Sequence, residues 1–388
     1  MEDAAVEKGI DQSDVLEKYK AAGALVDDAF DLVRRAAYAG IAIRTLCQLG
    51  DTVITNKAAG VYSKARTESG ERLEKGVAFP TCICVNNCVS HFCPIETDAN
   101  ADAKLQAGDQ ITIQFGAHID GYAALAAHTL VVRERKEAVA APVLRGRAAD
   151  VVKGAYTAAN AALRLMKVGN SNDQVSDLLA AVAKEFGVEL LEGVLSHQMK
   201  RYVIDGSKVI MNKQTLESRA DCWQFEAYEV YNLDVVMSTG DGKAIQKDTR
   251  ETVYKRQVDV DYQLKMKTSR QMFAEINKSH PTMPFTLRAL SDAKKARMAM
   301  TEMMKHNLVT AYPVLYEKDG AVIGRCSMTV LITANNTLVA TKTEMPAVES
   351  DKEVQNEEVK ALLAMAMDKK KRKKRKRKGG SGGEAMET

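Results

Sequence analysis

The sequence predicts an α/β fold of the α+β kind, with helices covering a curved, mostly antiparallel sheet and a small helical insertion breaking the run of strands. Three observations lead there. The chain opens with helical periodicity, passes through β-rich runs and a helix pair, and returns to strands after a second helical stretch, an order that fits helices layered on one sheet. Residues 111–132 read as a hairpin, because two β-rich runs flank Asp120-Gly121, the dipeptide that supplies the positive φ angles of a two-residue turn. Of the 388 residues, 46% are apolar and 27% charged, which excludes collagen-like, coiled-coil and wholly disordered chains and leaves room for one large domain or two modest ones.

The elements follow in order. Asp14 is placed to cap one long amphipathic helix over 14–49, with Leu16, Leu25, Val26, Ala29, Leu32, Val33, Ala36, Ala37 and Ile43 at helical spacing. A shorter helix at 51–68 and a strand at 77–90 come next. After the hairpin, helices are expected at 145–168 and 171–186, the second capped by Ser171 and stopped near Gly187. Strands fall at 188–196, 226–237 and 251–257. A helical stretch over 268–308 is broken by His280-Pro281 and Pro284, and strands return at 312–317, 321–333 and 337–343. Beyond Pro346 the composition changes: 349–367 fit a short acidic helix, while 368–388, a basic run followed by GGSGGEAMET, bury too little apolar surface to fold alone. The expected organisation is an extension at 1–13, a folded domain at 14–348 with its helical insertion at about 258–311, and an acidic then polybasic disordered tail at 349–388. No fixed repeat is visible.

The net charge of +4 is unevenly spread. Ten Lys/Arg from Lys369 to Lys378 stand against Glu384 and Glu387, so the last twenty residues carry +8 and the rest −4. Attraction to polyanions is therefore concentrated in the tail. No stretch approaches the roughly 20 apolar residues of a membrane span, and MEDAAVEKGIDQ is acidic where a secretory signal would be basic and then apolar. An intracellular protein without a membrane partner is expected. Its seven cysteines, an odd number, are expected to be thiols. Cys82, Cys84, Cys88 and Cys93 crowd around His91, yet their C-x-C-x3-C spacing in a β-branched run fits buried small hydrophobes better than zinc knuckles.

A set of segments then makes the chain recognisable: VNNCVSHFCP (85–94), LQAGDQITIQFGAHIDGYAALAAHTLVV (105–132), EGVLSHQMKRYVIDG (192–206), YEVYNLDVVMSTGDGKA (228–244), LKMKTSR (264–270), PFTLRAL (284–290), KKARM (294–298) and VLYEKDG (314–320). In this order they resemble the proliferation-associated proteins, non-catalytic relatives of type 2 methionine aminopeptidases in peptidase family M24. The resemblance spans roughly residues 16–345 and implies the pita-bread (creatinase/aminopeptidase) fold. In the aminopeptidases two Asp, one His and two Glu hold a pair of divalent metals that generate the attacking hydroxide. Carried over by their flanking motifs, the first Asp falls at Gln114, the second at Leu125, the His at His197, one Glu at Asp234 and the other at Ser327. The two-residue turn pairs Ile119 with Tyr122, Gly116 with Leu125 and Gln114 with Ala127, which makes Gln114 and Leu125 diagonal neighbours about 7–8 Å apart.

Gln, Leu and Ser supply no anion to offset two close cations. The resemblance, with these losses, implies a pseudo-enzyme without catalytic residues, metal or cofactor, and a remnant pocket of His91, His197 and Asp234. His91 stands where the aminopeptidases contact substrate. His197 is expected as a hydrogen-bonded histidine capped by or paired with Asp234 rather than as half of a mononuclear metal site.

Function is then expected on surfaces. Lys265, Lys267 and Arg270 open the insertion, Lys294, Lys295 and Arg297 lie on a helix, and the tail carries Lys369, Lys370, Lys371, Arg372, Lys373, Lys374, Arg375, Lys376, Arg377 and Lys378. These are the expected RNA contacts, since such side chains attract phosphates by counterion release. The tail by itself fits a nuclear-import signal, an RNA-binding arm, or both. The resemblance implies an RNA-binding, ribosome-associated factor in ribosome biogenesis, translation and growth control. Its implied partners are ribosomal RNA, the large ribosomal subunit and ribonucleoprotein complexes, in the cytoplasm and in the nucleus, including the nucleolus. The segment VKALL (359–363) approximates an L-x-x-L-L docking box, with Val359 in the leading place. One rival is an active metal-dependent methionine aminopeptidase, favoured by His197 and opposed by three lost ligands. Another is a nuclear DNA-binding transcriptional regulator that contacts DNA or other regulators.

Overall fold

Strands Tyr122–Val131 and Ile323–Ile332 are buried at every position, as strands must be that have neighbours on both edges and side chains packed on both faces. They are the middle of the main sheet in a computed structural model that describes residues 9–67, 69–135, 142–215 and 217–366. The basic run Lys369–Lys378 lies outside the described residues. Across the sheet the order is Lys75–Val85, Gln110–Ile119, Tyr122–Val131, Ile323–Ile332, Val230–Ser238, Leu195–Met199 and Val209–Met211, each pair antiparallel. The hairpin turns at Asp120 (φ 56°) and Gly121 (φ 79°) and has the register its turn residues require: Ile119 opposite Tyr122, Gly116 opposite Leu125, Gln114 opposite Ala127.

Helices α1 (Ser13–Ala36) and α2 (Ile43–Gly60) cover one half of the sheet, burying Val26, Ala29, Leu46 and Ile54 against Ile113 and Phe115. The single helix expected over 14–49 is therefore two. The break falls at 37–42, where Gly40 takes φ +92° and the backbone bonds instead to Leu105, Gly40 N–H to its carbonyl at 2.8 Å and its own N–H to Ile41 O at 3.0 Å. Apolar periodicity runs through the break, so it gave no warning; α2 absorbs much of the helix expected at 51–68.

Helices α3 (Gly146–Leu165) and α4 (Asn172–Phe186) cover the other half, with Tyr156, Leu179 and Phe186 against Val235, Cys326 and Met328. Ser171 and Gln174 form a capping box, and Gly187, left-handed at φ 61°, ends α4. Between these halves the chain detours into α5 (Lys267–Ser279) and α6 (Ala293–Lys305), which have a core of their own around Ile276, Phe285, Ala296 and Met303. Lys265 N–H donates to Glu302 at the far end of α6, and Ser291, just before α6, is held by Glu275 late in α5, so the two helices run antiparallel.

The stretch 349–366, expected to belong to the tail, is part of the folded body. Val348–Glu349 pairs in parallel with Leu144–Arg145, and α7 (Glu357–Ala364) lies on α3 with Val359 only 1% exposed. Leu362 and Leu363 also turn towards that core, so VKALL is occupied by the body rather than offered as a docking box. Composition could not reveal this, because the complementary surface is contributed by α3, some two hundred residues away in sequence. Cys47, Cys82, Cys84, Cys88, Cys93 and Cys326 are buried free thiols, and Cys222 is exposed. No helix among the described residues is long and apolar enough to cross a membrane.

Two stability tests follow from this packing. A Cβ added at Gly23, inside α1, would lie 2.0 Å from the Ala340 carbonyl oxygen. The gain of about 1 kcal/mol that alanine normally brings to a helix should be overturned, and Gly23→Ala should lower the urea midpoint with a net loss of about 2 kcal/mol. His118 and His128, 4% and 2% exposed, are both pushed down to about 4 by burial. Unfolded histidines titrate near ~6.5 and so bind more protons than folded ones between the two values. The stability they confer is complete above that upper value and is lost as pH falls towards the lower one, which thermal unfolding between pH 7 and pH 4 will register as a falling midpoint.

Candidate functional site

Strand registers alone assemble the site. Gln114 stands opposite Ala127, Ala127 opposite Ser327, and Ser327 opposite Asp234, a line across four strands. Directly paired residues share a face of the sheet, so Gln114, Ser327 and Asp234 all look to the side away from the helices. Leu125 lies two pairs along, opposite Gly116, and His197 is opposite Asn232. The fold thus brings together the five positions that the sequence motifs marked, and their side chains decide what the place can do.

Its centre is a residue that sequence reasoning missed. Arg325, two residues before Ser327 on the same strand and hence on the same face, is 4% exposed, and its guanidinium lies between Asp234 and Gln114. Nε donates to Asp234 Oδ1 at 2.8 Å and Nη2 to Asp234 Oδ2 at 2.5 Å. Nη1 donates to Gln114 Oε1 at 3.1 Å and towards Val89 O at 3.5 Å. The bidentate geometry is the strong form of a charge-assisted pair. A signal was present: an arginine in the otherwise apolar run VIGRCSMTVLI has to find a buried partner, because charged side chains are almost never buried unpaired.

The metals of the aminopeptidases do not fit these residues. Both oxygens of the one carboxylate are taken by Arg325, the Gln114 carbonyl accepts from the same cation, Leu125 is apolar, and Ser327 donates to Asn232 Oδ1 at 2.9 Å. A fixed positive charge where cations would sit repels further cations. Among the described residues no group of three or more His, Cys, Asp or Glu is arranged to hold a metal ion.

The expected pairing of Asp234 with His197 is corrected: Asp234 pairs with Arg325, the stronger partner, and His197 Nδ1 donates to Gly206 O at 3.3 Å. His91, at φ 65°, donates from Nδ1 to Pro313 O at 3.1 Å and packs against Phe79 and Tyr312. Burial, helped by the positive charge of Arg325, holds its pKa down to about 4, so its ring is neutral at physiological pH.

The basic candidates divide into two kinds. Lys265, Lys267, Lys294 and Lys295 are exposed, with Lys295 bonded to Asp292 at 3.0 Å. Arg270 instead donates to Leu264 O and Lys265 O, which ties down the entry to α5, and Arg297 pairs with Asp98 of the body. Because α5 and α6 are antiparallel, the two lysine groups occupy opposite ends of the pair, about 12–15 Å apart by helical rise. Exposed Lys305 joins the first group and exposed Lys278 the second, two positions the sequence reading passed over.

Comparison with known proteins bears on family and fold. The model of metallopeptidase family M24 matches residues 17–230. ErbB-3 binding protein 1 of Solanum tuberosum is 40% identical over 390 residues, covering 100% of this chain and 97% of that protein. Proliferation-associated protein A of Dictyostelium discoideum is 36% identical over 352 residues, covering 90% and 88%. Among solved structures, that of a thermophilic Arx1 superposes with a TM-score of 0.84 at 28% identity, covering 92% of this chain and 99% of its own. Methionine aminopeptidase of Thermotoga maritima shares the pita-bread fold at a TM-score of 0.55 and 17% identity, covering 86% and 98%.

Truncating the cation should expose its importance. Arg325→Ala leaves the Asp234 carboxylate buried without a partner, and a loss of roughly 3–5 kcal/mol is expected in urea unfolding. Arg325→Met combined with Asp234→Leu removes both charges and should recover most of it.

Proposed function

The chain belongs to metallopeptidase family M24, and we propose that it works by adhesion and not by hydrolysis, as an RNA-binding, ribosome-associated factor on an inactivated methionine aminopeptidase scaffold. The observation that carries the first half of this reading is the Arg325–Asp234 pair, which occupies the surviving carboxylate on both oxygens. Hydrolysis needs an activated water, and the remaining polar groups of the pocket, Gln114, Ser327, His197 and a neutral His91, include no anion to hold the cations that would activate it.

The second half rests on charge. Exposed lysines stand at both ends of the α5–α6 pair, and the run Lys369–Lys378 adds ten more basic residues. Such groups grip phosphates without reading sequence, which suits a structured RNA recognised by its shape. In this reading the partners are ribosomal RNA of the large subunit and ribonucleoprotein particles, met in both cytoplasm and nucleus. The pita-bread body is a rigid platform that carries the insertion.

The tests are direct. No methionine should be released from a Met-Ala peptide with cobalt or manganese present; release abolished by His197→Ala would return the chain to the enzymes. Binding to ribosomes in sedimentation should weaken with salt. Reversing Lys265, Lys267, Lys294 and Lys295 to Glu should flatten the log–log salt slope by about 3 if all four meet phosphates, while His197→Ala leaves it unchanged.

A further inference from the structure

Away from the pocket, three cysteines from separate parts of the chain converge under the insertion. Cys47 lies in α2, Cys82 in the edge strand Lys75–Val85 and Cys93 just beyond it, and all are buried. The Ile83 N–H bonds to Phe92 O at 2.9 Å and sets Cys82 beside Cys93, the Cys82 thiol donates to Pro80 O at 3.5 Å, Cys93 Sγ lies 4.0 Å from Thr286 Oγ1, and the side chains of Cys47 and Cys82 are close enough to Cys93 to shift its ionisation. Arg288 reaches in from the insertion: Nη1 donates to Cys93 Sγ, while Nη2 bonds to the Asp51 carboxylate and to Cys47 O at 3.3 Å. Asp51 is itself fixed by the Thr81 N–H and hydroxyl, both at 2.7 Å. One guanidinium thus holds the insertion to α2 through a carboxylate and a sulfur.

The Arg288 guanidinium donates to this sulfur, and against the opposing burial it acts with the neighbouring Cys47 and Cys82 side chains to pull the Cys93 thiol well below its ordinary range. Cys47 and Cys82 are pushed the other way and keep their protons. This is the division of labour of a redox pair, an ionised nucleophile beside a protonated resolving thiol. We infer that Cys93 is an oxidisable site, that peroxide closes a disulfide between it and Cys47 or Cys82, and that the closure loosens the insertion from the body.

The chemistry balances. The Cys93 thiolate attacks one oxygen of hydrogen peroxide, giving a sulfenic acid and hydroxide. The neighbouring thiol then attacks that sulfur and expels the sulfenic hydroxyl, which leaves with the thiol proton as one water; the hydroxide from the first step takes back from solvent the proton that Cys93 had given up, and two sulfurs are oxidised for one peroxide reduced. The disulfide carries no charge, so Arg288 keeps Asp51 but loses the acceptor for Nη1 in a buried place. Local opening at the insertion's edge admits an oxidant as small as peroxide. Because α5 and α6 carry the lysine groups, the proposal extends the RNA-binding reading to its regulation, although the disulfide itself can be tested without RNA.

The full chain is exposed to hydrogen peroxide without denaturant, alkylated and mapped by mass spectrometry, with amide exchange followed over residues 285–297. Cys93 should appear linked to Cys47 or Cys82, exchange over 285–297 should quicken several-fold, and dithiothreitol should reverse both. Cys93→Ser should show neither response, and Cys47→Ser and Cys82→Ser, tested singly, identify the resolving thiol and stand in should Cys93→Ser fail to fold. Oxidation confined to exposed Cys222, or a Cys93 disulfide with unchanged exchange, would overturn the inference. If the disulfide forms and frees the insertion while lysine reversal leaves ribosome binding intact, the latch stands and the RNA-binding reading falls.

Discussion

Arg325 and Asp234 are diagonal neighbours on adjacent strands with 4% and 6% of their surface exposed, and the rest of the sheet is arranged so that this pair is tolerable. A buried ion pair needs every remaining donor satisfied, because the cost of leaving water is large and attraction alone does not cover it. Here the third guanidinium nitrogen finds Gln114, from the opposite half of the sheet, and the carbonyl of Val89, from a separate three-stranded sheet. The pair therefore ties together the half covered by α3 and α4 and the half covered by α1 and α2. In the aminopeptidases, metals and carboxylates neutralise one another at this place; in this chain neutrality is reached with one covalently fixed cation and one anion. A fixed guanidinium gives cohesion, and unlike a metal it has no open position at which to activate water.

The same device recurs at the insertion. Arg288 binds α2 through Asp51, Arg297 binds the 95–98 loop through Asp98, and Arg270 closes the entry to α5 on its own backbone. Arginine is suited to such work, since its planar fork meets carboxylates and carbonyls at defined angles and it stays charged when buried. Two of the arginines that sequence reasoning assigned to RNA are thus engaged in holding the structure. The division by residue type is physical: forks are used where geometry matters, and lysines remain outside where charge alone matters.

What could be read from the sequence was whatever local chemistry dictates. Asp120-Gly121 set a two-residue turn and with it every cross-strand partner of the hairpin, so the line from Gln114 to Ala127 followed from counting. Ser171 and Gly187 bounded α4 for equally local reasons. The split between α1 and α2 depends on backbone bonds to Leu105, and the docking of α7 on a surface of α3, neither of which any local pattern encodes. In the site, motif order located the positions, but the partner of Asp234 was chosen in three dimensions. Arg325, which the sequence reading passed over, shares the face of Ser327 by strand alternation, and only the neighbouring strand identifies the carboxylate it reaches.

Rigidity at the base of the insertion bears on how its lysines can act. Counterion release adds affinity for each phosphate met, yet it carries no sequence information, so selectivity has to come from where the charges are held. Lysines at the two ends of an antiparallel helix pair are held at a fixed separation by the packing of Met272, Ile276, Met300 and Met303 between the helices. That separation can match one phosphate spacing and miss others only while the pair is also fixed relative to the body, and Arg288 and Arg297 are the charged contacts that fix it. A basic segment free of such constraints would strengthen binding to any polyanion, whereas under the proposed RNA-binding reading a constrained pair would discriminate by shape. On that reading Arg288 and Arg297 would be the source of any selectivity of the exposed lysines, because removing them would leave the same charges without a defined geometry.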